Sequence, residues 1–311
     1  MKRSFTYTII SLSVFVVGVE LIGRYMGLHH YPLYVEDTAY EYIHAPNQDL
    51  RIYRNKFSTN AYSMRSLPFR PQHDTLVILL IGDSIINGGN QTDQDSLAST
   101  LLEQRLQREM GLPYRVLNIG AGSWGPNNAA TYLTRHGTFN ADMVVLVAST
   151  HDAVDNMTFR KVVGIYPNYP ATNYSLAWYK VIERGLQQVR KVFREPPPRE
   201  ELLQIDAGKS FNAGFQKLYE LTDTLGIPFV IYLHSTRQEM TSGNLPPNAD
   251  RILSFADSMQ IAVVNELDLP IKPIHYRDDI HFNHRGQRFL SDQLFPVIRD
   301  SLLEYPRRDS R

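Results

Sequence analysis

Residues 75–84 read Thr75-Leu76-Val77-Ile78-Leu79-Leu80-Ile81-Gly82-Asp83-Ser84, an unbroken apolar run that stops at a glycine and is followed by an acid and a hydroxyl. A short apolar run without alternation fits a strand covered on both faces, as in a parallel sheet, because a half-exposed strand would alternate polar and apolar side chains. Comparable runs recur at residues 115–119, 143–149, 228–233 and 261–264. Between the first two, Leu97, Leu101, Leu102, Leu106 and Met110 fall on one helical face, and Gly111 stands where a helix ends. Further helices are expected over residues 126–136, 250–259 and 285–303, the first with Pro126 near its start and Gly137 after its end. Parallel strands require crossovers that place helices on the sheet faces. The expected fold is therefore a three-layer α/β/α sandwich with a five-stranded parallel sheet.

Outward toward the N-terminus, Lys2 and Arg3 precede residues 5–19, which carry no charge before Glu20. Counted through Ile22, the stretch approaches the roughly 17 to 25 residues that span a bilayer. Basic residues ahead of an apolar run mark an export signal whose basic end stays in the cytoplasm. No small-x-small cleavage pattern follows, so residues 1–25 read as an uncleaved signal anchor, a single-pass membrane helix with the remainder extracytoplasmic. Residues 26–73 are rich in Tyr, Pro, Asn and Arg and read as an irregular neck. The sheet-forming domain takes up 74–311. Between its third and fourth strands, residues 153–227 are too long for a simple crossover. They hold Tyr166, Pro167, Tyr169 and Pro170, an amphipathic stretch over 174–194, a break at Pro196, Pro197 and Pro198, and a helix within 200–225. Such an insertion is either a lid or substrate platform, or packing decoration.

Composition narrows the chemistry. The 311 residues are 43% hydrophobic and 21% charged, with Lys plus Arg equal to Asp plus Glu at 32 each, so no basic excess offers the counterion release that drives nucleic-acid binding. No cysteine is present, which removes thiolate nucleophiles and cysteine metal sites. The histidines form no helical or clustered ligand pattern, so neither a metal nor another cofactor is expected. Ser, His and carboxylate chemistry remains.

Ser84 lies on the turn leaving the first strand, where a nucleophile is exposed above the carboxyl edge of the sheet. Ile86 breaks the Gly-x-Ser-x-Gly elbow, which argues against an α/β-hydrolase. Near the C-terminus, Asp278-Asp279-Ile280-His281 places a carboxylate three residues before an imidazole, so one loop supplies a base and the group that orients it. The remaining polar residues have plainer readings: Asp83 braces its turn, while His234, His284 and Asp279 are solvated or capping.

This combination resembles the SGNH (GDSL) hydrolase family over residues 75–303, with its serine block opening the domain and its Asp-x-x-His block closing it. The resemblance implies a flavodoxin-like fold, with Ser84 as nucleophile, His281 as general base and Asp278 as orienting acid. Its oxyanion hole would consist of the N–H of Ser84, a glycine N–H from Asn118-Ile119-Gly120-Ala121-Gly122-Ser123, and a third donor. Gly122 takes the glycine position, although strict spacing from Asn118 points to Ser123. The family usually has Gly-x-Asn-Asp in its third block, whereas this chain reads Ser149-Thr150-His151-Asp152, so His151 stands in for the asparagine. An imidazole N–H also serves as an oxyanion donor. The alternative for His151 is a strand-end residue without catalytic role. In the neck, Pro46, Asn47, Gln48, Asn60, Met64, Arg65 and Ser66 resemble the segment before this domain in membrane-anchored members.

The expected function is that of a serine esterase acting on acyl esters, with O-acetyl groups of an envelope or extracellular carbohydrate as substrate. Tyr166, Tyr169, Tyr174, Trp178 and Tyr179 offer rings that stack on sugars, though aromatics also pack cores. Two alternatives stand beside it. One is an O-acyltransferase in polysaccharide modification, and the other is a catalytically idle domain that binds a polysaccharide or an assembly partner.

Overall fold

The computed structural model describes residues 2–70, 74–173, 175–179, 182, 186 and 210–305. Helix α1 (Lys2–Tyr25) includes a span, Phe5–Tyr25, long and apolar enough to cross a membrane. The next elements are two antiparallel hairpins, β1 (Tyr34–Asp37) with β2 (Glu41–His44), and β3 (Asp49–Ile52) with β4 (Asn55–Ser58). The stretch expected to be irregular is thus hairpin structure, and its strands of four residues each are too short to show a period in sequence.

The domain then runs β5 (Leu76–Gly82), α2 (Ser84–Asn87), α3 (Ala98–Met110), β6 (Tyr114–Gly120), α4 (Pro126–His136) and β7 (Met143–Ser149). After the insertion come α5 (Gly214–Leu225), β8 (Phe229–His234), α6 (Arg237–Ser242), α7 (Pro247–Ser258), β9 (Ala262–Asn265) and α8 (His284–Glu304). The five strands β5 to β9 form one parallel sheet in the order β6-β5-β7-β8-β9. This is the flavodoxin-like order 2-1-3-4-5, whose ligand crevice opens between the first and third strands at their carboxyl ends. Ser84 follows β5 and His151 follows β7, the two strands that flank that crevice.

The period of two along β5 explains both layers. Val77, Leu79 and Ile81 join the cluster under α4, α5 and α7, which includes Ala129, Leu133, Phe215, Leu218 and Ile252. Ile78 and Leu80 point the other way, into the cluster with Leu102 and Leu106 of α3 and Leu290, Leu294 and Ile298 of α8. Each such side chain, fully buried, contributes about 1.5 to 3 kcal/mol. Gly111 caps α3 in the left-handed conformation expected of it, at φ 70°.

The insertion is described only in part. Val162, Val163 and Tyr169 belong to the core cluster, the Glu41 carboxylate accepts the N–H groups of Thr158 and Phe159 at 2.8 and 2.7 Å, and the N–H of Tyr34 bonds Pro170 O. Residues 158–170 therefore pack against the first hairpin. Tyr169 is 5% exposed and bonds the backbone, so it is a packing residue and not a stacking surface, while Tyr166 and Tyr179 are exposed. Tyr174, most of the amphipathic stretch over 174–194 and all of Pro196, Pro197 and Pro198 lie outside the described residues.

Candidate active site

Two glycines bring the strand ends together. A Cβ on Gly120 would sit 2.6 Å from Gly82 O and 2.9 Å from Asp83 O, so only hydrogen fits between the ends of β5 and β6. Beyond Gly82 the chain turns at once: the Asp83 side chain accepts the N–H of Ile85 at 2.8 Å and caps α2, whose first residue is Ser84. Sequence spacing places the next helix about ten residues later, at what is α3. The single turn of α2 is too short for a periodic pattern and escapes sequence reading. Gly88 closes it at φ 72°.

Ser84, His281 and Asp278 are brought together. His281 Nε2 lies 2.9 Å from Ser84 Oγ, and its Nδ1 lies 2.9 and 3.0 Å from the two Asp278 oxygens. Asp278 Oδ1 also accepts the backbone N–H groups of Ile280 and His281, at 3.1 and 2.8 Å. Burial alone would raise the Asp278 carboxyl, but the hydrogen bonds from the His281 side chain and backbone outweigh it and hold the group well below the usual carboxylate range. An ionised Asp278 fixes the proton of His281 on Nδ1 and leaves Nε2 free to accept the serine proton. Asp279 is exposed and engages through its backbone, its carbonyl accepting the N–H of Arg237 at 2.6 Å. His284 is exposed as well.

The loop after β6 carries the Gly122–Ser123 segment. Gly122 O accepts the Tyr42 hydroxyl at 2.9 Å, and Ser123 Oγ accepts the Tyr169 hydroxyl at 3.2 Å. Ser123 stands at φ 55°, in the left-handed region where glycine is at ease. A glycine block would therefore place its glycine at 123 on backbone grounds, which weighs the open register toward Ser123. Asn118 serves a different end. Fully buried, it donates to Ile86 O at 2.7 Å and to Ser99 Oγ at 3.1 Å, tying α2 to β6 and α3.

His151 sits on a 3-10 turn (Thr150–Ala153) after β7. Its Nε2 is 4.0 Å from Asp83 Oδ2 and 3.8 Å from Asp152 Oδ1, both carboxylates being buried. Among the described residues, His151, Asp152 and Asp155 are the one group with ligand atoms close enough for a metal, within 4.8 Å of one another. The sequence showed no such cluster, because the turn folds residues four apart onto one spot. Asp152 Oδ2 is already committed to the N–H of Ser149 at 2.6 Å, and we assign no metal here.

Burial and then the neighbouring Asp152 push the Asp155 carboxyl up to about 7, with His151 pulling the other way. The folded state holds this proton to about pH 7, while an unfolded Asp releases it near about 4. Stability therefore falls as pH rises between those values, by at most about 1.4 kcal/mol per pH unit from this group. Asp155→Asn should flatten that part of the profile. Denaturant unfolding at several pH values across the window reads it, and parallel profiles for the two proteins would rule it out.

In sequence Arg65 reads only as part of the neck, and the structure gives it a definite role. The side chain is 1% exposed, lies 4.4 Å over the Phe57 ring, and donates to three carbonyls, those of Asn87 at the end of α2 and of Gly89 at 2.5 Å and Thr92 at 2.6 Å in the loop that follows. A planar fork reaches all three, whereas an ammonium does not. Arg65→Ala should cost about 3 kcal/mol or more, since each orphaned buried carbonyl costs about 1 to 3. Arg65→Lys should recover only part. Chemical denaturation followed through Trp124 checks both, and a loss below about 1 kcal/mol for the alanine variant would contradict the clamp. His234, expected to be solvated or capping, is instead fully buried. The signal was present, because it ends an otherwise apolar strand.

No family model matches the chain, and no curated protein matches it. Among solved structures it is similar to a carbohydrate acetylesterase family member from Sinorhizobium meliloti, with 14% identity over 73% of this chain and 99% of that one, at a TM-score of 0.38. It is also similar to a lipase/acylhydrolase from Enterococcus faecalis, with 13% identity over 72% and 96% of the two chains and a TM-score of 0.43. An acetyl xylan esterase gives 14% identity over 72% and 100%, at a TM-score of 0.43.

Proposed function

We propose that the chain is a serine esterase of the SGNH type, tethered to a membrane by α1, that removes acyl groups, and O-acetyl groups in particular, from an extracytoplasmic carbohydrate. The observation that carries this reading is the hydrogen-bonded series Asp278, His281, Ser84 at 2.9 Å per link, at the carboxyl end of a flavodoxin-like sheet. Ser84 Oγ attacks the ester carbonyl as His281 Nε2 takes its proton. The tetrahedral oxyanion is met by the N–H of Ser84, a backbone N–H at Gly122 or Ser123, and the His151 imidazole. His281 then protonates the leaving sugar oxygen as its bond to the acyl carbon breaks, and the sugar departs with a free hydroxyl. Water attacks the acyl-serine with the same base, which frees acetate and restores Ser84.

The exposure of the site supports hydrolysis over transfer. The His281 and Asp278 side chains are 29% and 47% exposed, so water reaches the acyl-enzyme. An acyltransferase would need that access closed. Exposed Phe159 and Tyr166, on the packed part of the insertion, support a sugar ligand. The test is acetate release from a panel of acetylated glycans, beside short p-nitrophenyl esters and fluorophosphonate labelling of Ser84. Folded protein that takes no label and cleaves no ester would support the idle, binding alternative.

The tether reading predicts that everything beyond α1 lies outside the cytoplasm. A C-terminal alkaline phosphatase fusion in a bacterial host should be active and a cytoplasm-only reporter silent. The reverse pattern would overturn it.

A further inference from the structure

Beneath the base lies a second histidine that the esterase mechanism does not use. His234 ends β8, in register with Ser149 at the end of β7, and its side chain is fully buried. Nδ1 is 2.5 Å from Glu266 Oε2, and Nε2 is 2.8 Å from the carbonyl oxygen of Ile280, the residue before His281. Glu266 is also fully buried and accepts the N–H of Ser235 at 2.7 Å. Both neighbours of the ring are acceptors. A neutral imidazole has one N–H and would leave one of them facing a lone pair, whereas the imidazolium satisfies both. An imidazolium donates to Glu266 Oε2 and to Ile280 O at once, which is the state this pair of contacts favours.

This arrangement matters because of what the Ile280 carbonyl belongs to. In the loop that carries the base, Asp278 holds the N–H groups of Ile280 and His281, the N–H of Arg277 bonds His281 O at 2.8 Å, and the N–H of Arg237 bonds Asp279 O. The bonds from Asp278 and the Arg277 N–H lie within that loop and shape it, while Arg237 of α6 and the Arg277 guanidinium, which donates to Gly88 O at 3.3 Å, tie it to neighbouring turns and not to the sheet. The bond from His234 joins the peptide immediately before the base to the end of a central strand. Phe282 packs edge-on over the His234 ring at a centroid distance of 4.6 Å and closes the other side.

We propose that His234, held by Glu266, is a positioning residue that fixes the Ile280–His281 peptide and so keeps His281 Nε2 within hydrogen-bond reach of Ser84. The proposal rests on the esterase reading of that site. Burial by itself would lower the His234 pKa, but the Glu266 charge and hydrogen bond and the Ile280 carbonyl together raise it. The other titratable groups that face it are Asp83, past the end of β5, and Asp152, past the end of the adjacent β7, whose carboxyl burial and then Asp83 raise well above the ordinary value.

The test uses the full 311-residue chain in detergent, with His234→Gln, Glu266→Gln and the double variant. Rates on p-nitrophenyl acetate are divided by active sites titrated with a fluorophosphonate, so partial unfolding does not count as lost catalysis. His234→Gln should lower kcat per site about tenfold to a hundredfold with KM changed less than twofold, and slow the labelling rate constant alike. The double variant should recover part of the loss, because replacing Glu266 by an amide removes the buried carboxylate that the imidazole no longer offsets. Unchanged kcat and labelling rate per folded site would overturn the proposal. An activity-independent readout is 15N-histidine NMR. Wild type should show one histidine that stays protonated on both nitrogens to higher pH than an ordinary imidazole, and Glu266→Gln should remove that signature and broaden the His281 ring signals. If His234→Gln does not fold, the Glu266→Gln spectrum decides, and an unmoved His281 signal overturns the proposal. If wild type cleaves no ester and takes no label, the esterase reading fails while the NMR result still judges the anchor.

Discussion

Ser84→Ala and His281→Ala are each expected to lower kcat on a cleavable ester by about 10⁴ to 10⁶-fold, because nucleophile and base act as one unit and either loss removes the unit. The double variant should be no worse than either single one, since the second change has nothing left to disable. Neither change should disturb the fold: Ser84 opens a one-turn helix on a surface edge, and the His281 side chain is 29% exposed. Asp278→Asn should lose less than His281→Ala, because the amide keeps a partner for the ring but favours the wrong tautomer. Asp279→Asn should be mild, since the structure engages only its backbone. Equal losses at both aspartates, in protein shown folded by circular dichroism, would assign the orienting role elsewhere. Fluorophosphonate labelling of wild type and not of Ser84→Ala checks the nucleophile directly.

The second large effect is expected at His151. Removing one oxyanion donor costs about 10² to 10³ in kcat, so His151→Ala should fall by that factor with a smaller change in KM. His151→Asn should recover part of the loss, because its amide also donates. The structure adds a competing account that the same variants separate. His151 Nε2 stands 4.0 and 3.8 Å from the buried carboxylates Asp83 and Asp152, and Asp152 Oδ1 has no hydrogen-bond partner among the described residues. If its main role is to offset those acids, His151→Ala should lower stability and leave kcat per folded site unchanged, and His151→Asn should not rescue. A kcat loss without a stability loss of similar size supports the oxyanion role.

The two parts of the hydrogen-bonded series Ser84, His281, Asp278 were legible for different reasons. Asp278 and His281 are three residues apart in one loop, so their meeting is a local fact that spacing reveals. Ser84 is 197 positions from His281, and nothing in sequence measures their 2.9 Å separation. It could be anticipated only because a serine after a buried strand and an Asp-x-x-His before the last helix both belong at the carboxyl edge of such a sheet. Arg65 and the His234–Glu266 pair escaped sequence reading for the complementary reason. Their partners are backbone carbonyls and a side chain on the turn after β9, and carbonyls carry no sequence signature.

By itself, the sequence determined the parallel sheet, the order of its five strands and of the longer helices between them, the apolar N-terminal run and the residue types available for chemistry. Each of these follows from local periodicity, from caps, or from which side chains are present at all. Only the tertiary structure decided which strands are neighbours, that the neck forms hairpins whose Tyr42 bonds the loop at Gly122, that Ser123 takes the glycine-like backbone, and that three acids crowd around His151. The reason is physical: hydrophobic period is written residue by residue, whereas a hydrogen bond between distant segments exists only once packing has brought its donor to within about 3 Å of its acceptor.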